Sequence, residues 1–261
     1  MRRSLAGLRC LVTGASSGIG RALTLRLIQA DAKVAAVARR KERLDDLARE
    51  VAALGRGEHL RCLTADVTSS ADRAAALALC EREFGGLDAL VNNAGVGGIG
   101  PFAEADEARL RKIFEVNLIG PVELTRAALP LLRRGRTPLI VNVGSVLGHR
   151  AVPSKSEYCA SKFALHGWSD ALRAELAKEG IDVLLVSPST TQSEFFEQAG
   201  GKLPKRNLGG SPMTADAVAR RIVGAMRAGR HEIILSVGGK LLVWLDRLCP
   251  PLVNRIVAWL G

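Results

Sequence analysis

The chain reads as a layered α/β protein, a parallel sheet covered by helices on both faces, and three observations predict it. Short apolar runs alternate with helix-period segments from end to end, the pattern of consecutive strand–helix units. Apolar residues make up 48% of the chain but aromatics only 4%, so the interior must be built from Ala, Leu, Val and Ile. A length of 261 residues suits one domain with a substantial core, and no internal repeat, linker or low-complexity run divides it.

In chain order, Arg9–Thr13 is an apolar run cut short by the glycine-rich turn at 14–20. A helix follows, with Ile19, Leu23, Leu27 and Ile28 on one stripe. Lys33–Ala38 is the second strand and 41–54 a charged helix. Leu60–Thr64 and 89–91 are further strands, separated by a helix over Ser70–Phe84. The pattern predicts one long helix over 106–133, then strand Leu139–Val143. A helix carrying Tyr158 and Lys162 runs to about 178, and 181–187 is the next strand. After a Gly/Pro/Lys-rich loop, 215–227 is helical and 232–235 is the last strand. Residues 1–237 form the domain, and 238–261 form an apolar C-terminal extension.

Composition excludes several classes. Five cysteines without Cys-x-x-Cys spacing read as reduced thiols of a cytoplasmic protein, not a disulfide framework or zinc site. Four isolated histidines show no metal-ligand spacing, so no metal is expected. His149, nearest the motifs below, ranks as loop filler ahead of catalyst. No secretory segment is evident, because the apolar stretch after Met1-Arg2-Arg3 is short and runs into the first strand. The net charge of +11 comes in arginine clusters without stacking aromatics, which argues against nucleic acid. A field for anionic ligands or membrane faces and plain solvated surfaces are both open readings.

The chemistry centres on the only tyrosine, Tyr158, with Lys162 one helical turn along on the same face. At its ordinary pKa near 10, roughly one phenol in a thousand is ionised at pH 7, a deficit of about 4 kcal/mol. An ammonium about 4 Å away supplies about that attraction at an effective dielectric of about 20. Such a pair can exchange a proton with an alcohol or carbonyl near neutral pH. In the first turn, Gly14 permits the bend, Gly18 lets backbone approach a pyrophosphate, and Gly20 allows close helix–strand packing. The N–H groups at the helix start, with Ser16, Ser17 and Ile19 around them, then face negative charge.

Taken together, Thr13 to Gly20, Asn92-Asn93-Ala94-Gly95, Asn117, Ser145 and Tyr158-x-x-x-Lys162 resemble the motif series of the short-chain dehydrogenase/reductase family, in that family's order. The resemblance implies a single Rossmann-type, doubly wound domain with a seven-stranded parallel sheet, assembled into dimers or tetramers. It implies Tyr158 as proton donor in reduction and base in oxidation, and Ser145 as the group polarising the substrate oxygen. Lys162 would hold the nicotinamide ribose and depress the tyrosine pKa, and Asn117 would anchor a water linking Lys162 to solvent. Asn92, Asn93, Ala94 and Gly95 would border the cofactor's adenosine side, with Asp66 and Val67 at the adenine. The family's Pro-Gly after the sixth strand is Pro188-Ser189 here, with Ser193 further on; Pro188 and Ser193 would bind the carboxamide.

Charge decides the cofactor expectation. The second strand ends Ala38-Arg39-Arg40, with no carboxylate for a ribose 2′-hydroxyl and a guanidinium suited to a 2′-phosphate. NADP(H) is therefore expected, with Arg39 as principal contact and Arg40 or Ser16 assisting. Residues 194–210 would form a substrate lid, on which Phe195 and Phe196 either close over an apolar substrate or dock the lid. The tail predicts two short amphipathic helices around Pro250-Pro251, too charged to span a membrane. Packing on a neighbouring subunit or beside the active site stands ahead of peripheral membrane contact. The leading function is NADP(H)-dependent hydride transfer between nicotinamide and an alcohol or carbonyl of a lipophilic small molecule. One alternative is a 3-oxoacyl-carrier-protein-type reductase docking through Arg133, Arg134, Arg136 and Arg173. Another, of a different class, is a non-catalytic NADP(H)-binding regulator or scaffold.

Overall fold

The computed structural model describes residues 3–195, 199 and 211–260, without the side chains of Trp259 and Leu260. Its strands are β1 (Arg9–Thr13), β2 (Lys33–Ala38), β3 (Leu60–Thr64), β4 (Ala89–Asn92), β5 (Leu139–Val143), β6 (Asp182–Ser187), β7 (Thr191–Gln192), β8 (Met213–Thr214) and β9 (Glu232–Ile234). The helices are α1 (Gly18–Gln29), α2 (Lys41–Ala53), α3 (Ser70–Phe84), α4 (Glu107–Phe114), α5 (Gly120–Arg133), α6 (Ser156–Leu176), α7 (Ala215–Ala228), α8 (Val237–Leu248) and α9 (Pro250–Leu260).

Seven strands pair in parallel in the order β3-β2-β1-β4-β5-β6-β9. Parallel strands need crossovers, and the helices supplying them cover both faces, so β1, β4 and β5 are buried along nearly their whole length. One core joins the sheet to α1, α2 and α7 through Leu23, Leu27, Leu44, Leu47 and Ile222. The other joins it to α3, α5 and α6 through Leu77, Leu124, Leu132 and Leu172. The winding reverses between β1 and β4, and a crevice opens at their carboxyl ends, where open α/β sheets bind ligands.

The expected single helix over 106–133 is interrupted. Glu115–Ile119 forms a π turn between α4 and α5, and it carries the fully buried Asn117. The extra residue in that turn lets an inward side chain be placed without breaking the helix. The pair β7–β8 was not foreseen; it ties together the two ends of the expected lid. Cys10, Cys80 and Cys159 are buried free thiols, and Cys249 is exposed.

Candidate active site

The crevice is a cleft of about 1000 Å³. Its floor begins with a lock between the glycine turn and the tip of β4. Thr13 Oγ1 donates to the Val91 carbonyl at 3.2 Å and accepts from the N–H groups of Asn93 and Ala94, each at 3.0 Å. Asn93 Nδ2 returns a bond to the Thr13 carbonyl at 2.9 Å. Gly14 has φ +67°, and a Cβ there would stand 2.8 Å from Ala94 Cα. A Cβ on Gly20 would stand 2.3 Å from the Gly14 carbonyl oxygen. Both contacts are with backbone, which cannot swing aside. Gly20→Ala is therefore expected to destabilise the protein by about 3 kcal/mol and abolish dinucleotide binding, checked by thermal melts and cofactor titration.

Around this turn the cleft gathers Gly14, Ser16, Ser17, Gly18, Ile19, Arg39, Arg40, Asp66, Val67, Asn93, Ala94 and Gly95 from the anticipated cofactor set. Ser145, Tyr158, Lys162, Pro188 and Ser193 line it further along. Gly20 lies behind the lining, in the packing role expected of it. Asn92 does not border the cleft. It is buried, and its Nδ2 donates to Thr125 Oγ1 at 3.0 Å and Asn142 Oδ1 at 2.9 Å. Asn142 passes this chain on to Ser169 at 2.9 Å. The Asn92 side chain thus belongs to a polar bridge between sheet and helices. Alternation explains the correction: adjacent residues at a strand end point to opposite faces.

Ser145 stands two residues past β5, where its hydroxyl accepts the Leu147 N–H at 3.0 Å, and it lines the cleft together with Tyr158. Tyr158 and Lys162 sit one turn apart on α6, and Nζ lies 5.8 Å from the phenol ring centroid. Lys162 is 4% exposed and donates to the Val143 carbonyl at 3.0 Å. Burial pushes Tyr158 up to about 12, against the opposing pull of nearby Ser145, and pushes Lys162 down to about 8. The expectation that Lys162 depresses the tyrosine is thus corrected for the protein alone. Desolvation outweighs a cation that is turned toward Val143 and is itself poorly solvated.

Asn117 is a clamp. Its Oδ1 accepts the Val96 N–H at 2.8 Å, while Nδ2 donates to the Val96 carbonyl at 2.9 Å and to Ser161 Oγ at 3.0 Å. Ser161 precedes Lys162, so Asn117 fixes the β4 loop against the catalytic turn of α6. Both amide hydrogens are committed to protein, while Oδ1 keeps a second acceptor site.

Several lining residues were missed. Lys155, the N-cap of α6, precedes Tyr158 by one helical step of three, a spacing visible in the sequence. Lys112 on α4 lines the cleft too, as does Arg109, whose Nη2 stands 2.6 Å from buried Glu157. Gly239 and Leu242 of α8 complete the wall, so the C-terminal extension is built into the cleft. Of the expected lid, Phe195 meets the Tyr158 ring edge-on at 5.5 Å. Phe196 lies outside the described residues. His149 stays out of the lining: its Nε2 contacts Ser187 Oγ at 2.9 Å and Glu232 at 3.3 Å, beside His166, and burial pushes it down to about 4. Three separate elements bring that trio together, which no sequence spacing could reveal.

A doubly wound parallel sheet with a glycine turn at its switch point, and a serine, tyrosine and lysine converging beside it, defines a dinucleotide-binding oxidoreductase of the Rossmann class. The family model for short chain dehydrogenases matches residues 9–203, and the chain belongs to that short-chain dehydrogenase/reductase family. It is 32% identical to the ketoacyl reductase HetN of Nostoc sp. over 99% of this chain and 91% of that one. It also resembles a short chain dehydrogenase from Burkholderia cenocepacia solved in complex with NADP (29% identity, TM-score 0.80, covering 91% and 100% of the two chains). A 3-ketoacyl-(acyl-carrier-protein) reductase from Brucella melitensis complexed with NADH is similar at 28% identity and TM-score 0.80, covering 88% and 96%.

Proposed function

We propose that this oxidoreductase uses NADP(H) to interconvert an alcohol and a carbonyl on a lipophilic substrate, with Tyr158 as general acid and base. The observation that carries the reading is the convergence of Ser145, Tyr158 and Lys162 in one cleft that also gathers Arg39 and Arg40 and apolar Phe195 and Leu242. The residues present fit a dinucleotide: Gly14 and Gly20 let the turn pack tightly on the β4 loop where a Cβ would strike backbone, and the start of α1 faces the cleft with no side-chain cap. When bound, the nicotinamide supplies or accepts the hydride. Ser145 and Tyr158 hold the substrate oxygen, and the phenol gives up its proton in reduction. Lys162, cationic below about 8, favours the phenolate as that proton leaves.

The 2′-phosphate preference rests on the end of β2. Arg39 is more than half exposed, with Asp66 3.8 Å away, and so is available to a ligand. Arg40 is held: Nη1 donates to Glu194 at 2.7 Å and Nη2 to Ser17 Oγ at 2.7 Å. Arg39→Ala should raise the NADPH dissociation constant at least tenfold and leave NADH unchanged. Glu194→Gln, which loosens the carboxylate's hold on Arg40, should tighten NADPH severalfold. Fluorescence titration of both cofactors checks these outcomes, and a wild-type preference for NADH overturns the NADP(H) assignment.

Similarity to a ketoacyl reductase favours a second reading, reduction of 3-oxoacyl chains. The arginines expected to dock an acidic carrier do not support it. Arg133 pairs with Glu179 at 2.6 Å, Arg134 with Glu81 at 2.9 Å and Arg173 with Asp170 at 2.8 Å. Arg136 caps the Gly7 carbonyl, near the amino ends of the strands and across the sheet from the cleft. NADPH oxidation across ketones, aldehydes and acyl thioesters separates the two. Binding of NADPH without turnover on any of them would instead mark a regulator.

A further inference from the structure

Among the described residues, nothing packs against an apolar stripe on the outer side of α8 and α9. Leu241, Trp244, Leu245 and Leu248 on α8, with Leu252 and Ile256 on α9, are all exposed, Leu248 by 77%. Their steps of three, four and seven place them on one helical face. On the opposite face Gly239, Val243, Val253 and Val257 are buried, and Arg150 ties the hairpin down through Asp246 and Asn254, each at 2.8 Å. Leu242, one residue from the stripe, lines the catalytic cleft. Among the described residues no helix is long and apolar enough to cross a membrane.

Charge selects the occupant. Residues 237–261 hold Lys240, Arg247 and Arg255 but a single acid, Asp246, which is spent on Arg150. A second copy, itself at +11, would bring these cations against their own likeness across a two-fold contact. An anionic lipid surface accepts both the cations and the stripe, since tryptophan and leucine enter the headgroup boundary while lysine and arginine stay with the phosphates. We propose that the outer face of α8 and α9 docks on an anionic bilayer and sets the mouth of the cleft at its surface. Entry of substrate from the lipid rests in addition on the lipophilic-substrate reading above; the docking does not.

Co-sedimentation of the full chain, loaded with NADPH, tests the docking with vesicles of phosphatidylcholine alone or mixed with phosphatidylglycerol. Wild type should pellet with the anionic vesicles at least tenfold more than with the neutral ones. The double variant Leu241→Ser, Leu248→Ser should lose at least tenfold of that binding. Lys240→Glu with Arg247→Glu should erase the preference for anionic lipid. Both variants should keep wild-type mass by light scattering and wild-type turnover of any water-soluble substrate found by the panel. Wild type left in the supernatant, variants that pellet like wild type, or a serine variant of half the wild-type mass would each overturn the proposal. Sedimentation reads no turnover, so its failure is distinct from failure of the reductase reading.

Discussion

Tyr158→Phe is expected to lower kcat about a thousandfold, within the range of about 10² to 10⁴ for loss of a positioned proton donor. That loss is about 4 kcal/mol of transition-state stabilisation. The substitution should leave NADPH affinity and thermal stability close to wild type, because it removes one oxygen and the ring keeps its edge-on contact with Phe195. The same residue offers a direct physical check. As the sole tyrosine, Tyr158 can be titrated by ultraviolet difference without background from other phenols. With burial pushing it up to about 12, the protein alone should show no ionisation below pH 10 while its circular dichroism stays native. A native-state midpoint below 10 would mean that Lys162 outweighs desolvation, and the site would need a different account. An unaltered kcat in Tyr158→Phe would remove the phenol from the chemistry altogether.

What the sequence made legible follows from which forces are local. Strands β1, β2 and β3 fall where the apolar runs predict them; β1 and β2 are buried nearly throughout, and β3, at the sheet edge, is buried only at Leu60. The cofactor cradle was legible for the same reason: Gly14 and Gly20 answer to contacts made within a few residues of chain and one neighbouring strand. The π turn at Asn117 was not, since one added residue shifts helical phase by about 100° and blurs into the scatter of the apolar pattern. Asn92 and Asn93 are adjacent in the sequence, and only the pleat of β4 tells which one enters the core. The seven parallel strands came from the resemblance and their order from the structure alone, since periodicity is blind to which strands pair. The part of α8 in the cleft wall was open to sequence reasoning only as one of two alternatives, because amphipathicity says that a face is covered without saying by what.

Lys162→Met should raise stability at neutral pH while removing activity. An ammonium at 4% exposure costs the native state, and its folded pKa of about 8 against 10.5 in the unfolded chain measures that cost. The sign follows from linkage. Between pH 8 and 10.5 the unfolded chain binds the proton and the native protein does not, so stability rises with pH across that window. Below pH 8 the full penalty, on the order of 3 kcal/mol, is present. Methionine fills a similar volume without charge and recovers that penalty, less about 1 kcal/mol for the lost bond to the Val143 carbonyl. The net gain of about 2 kcal/mol corresponds to about 4–8 °C in Tm for a domain of this size. Denaturant unfolding of both proteins between pH 6 and 10 should show the advantage of Lys162→Met constant up to pH 8 and shrinking above it. A variant less stable at every pH would mean that the Val143 bond and local packing outweigh desolvation. If the advantage is found, the lysine is retained against stability, and the turnover lost in the variant identifies the selective reason: a cation beside the one phenol that moves the proton.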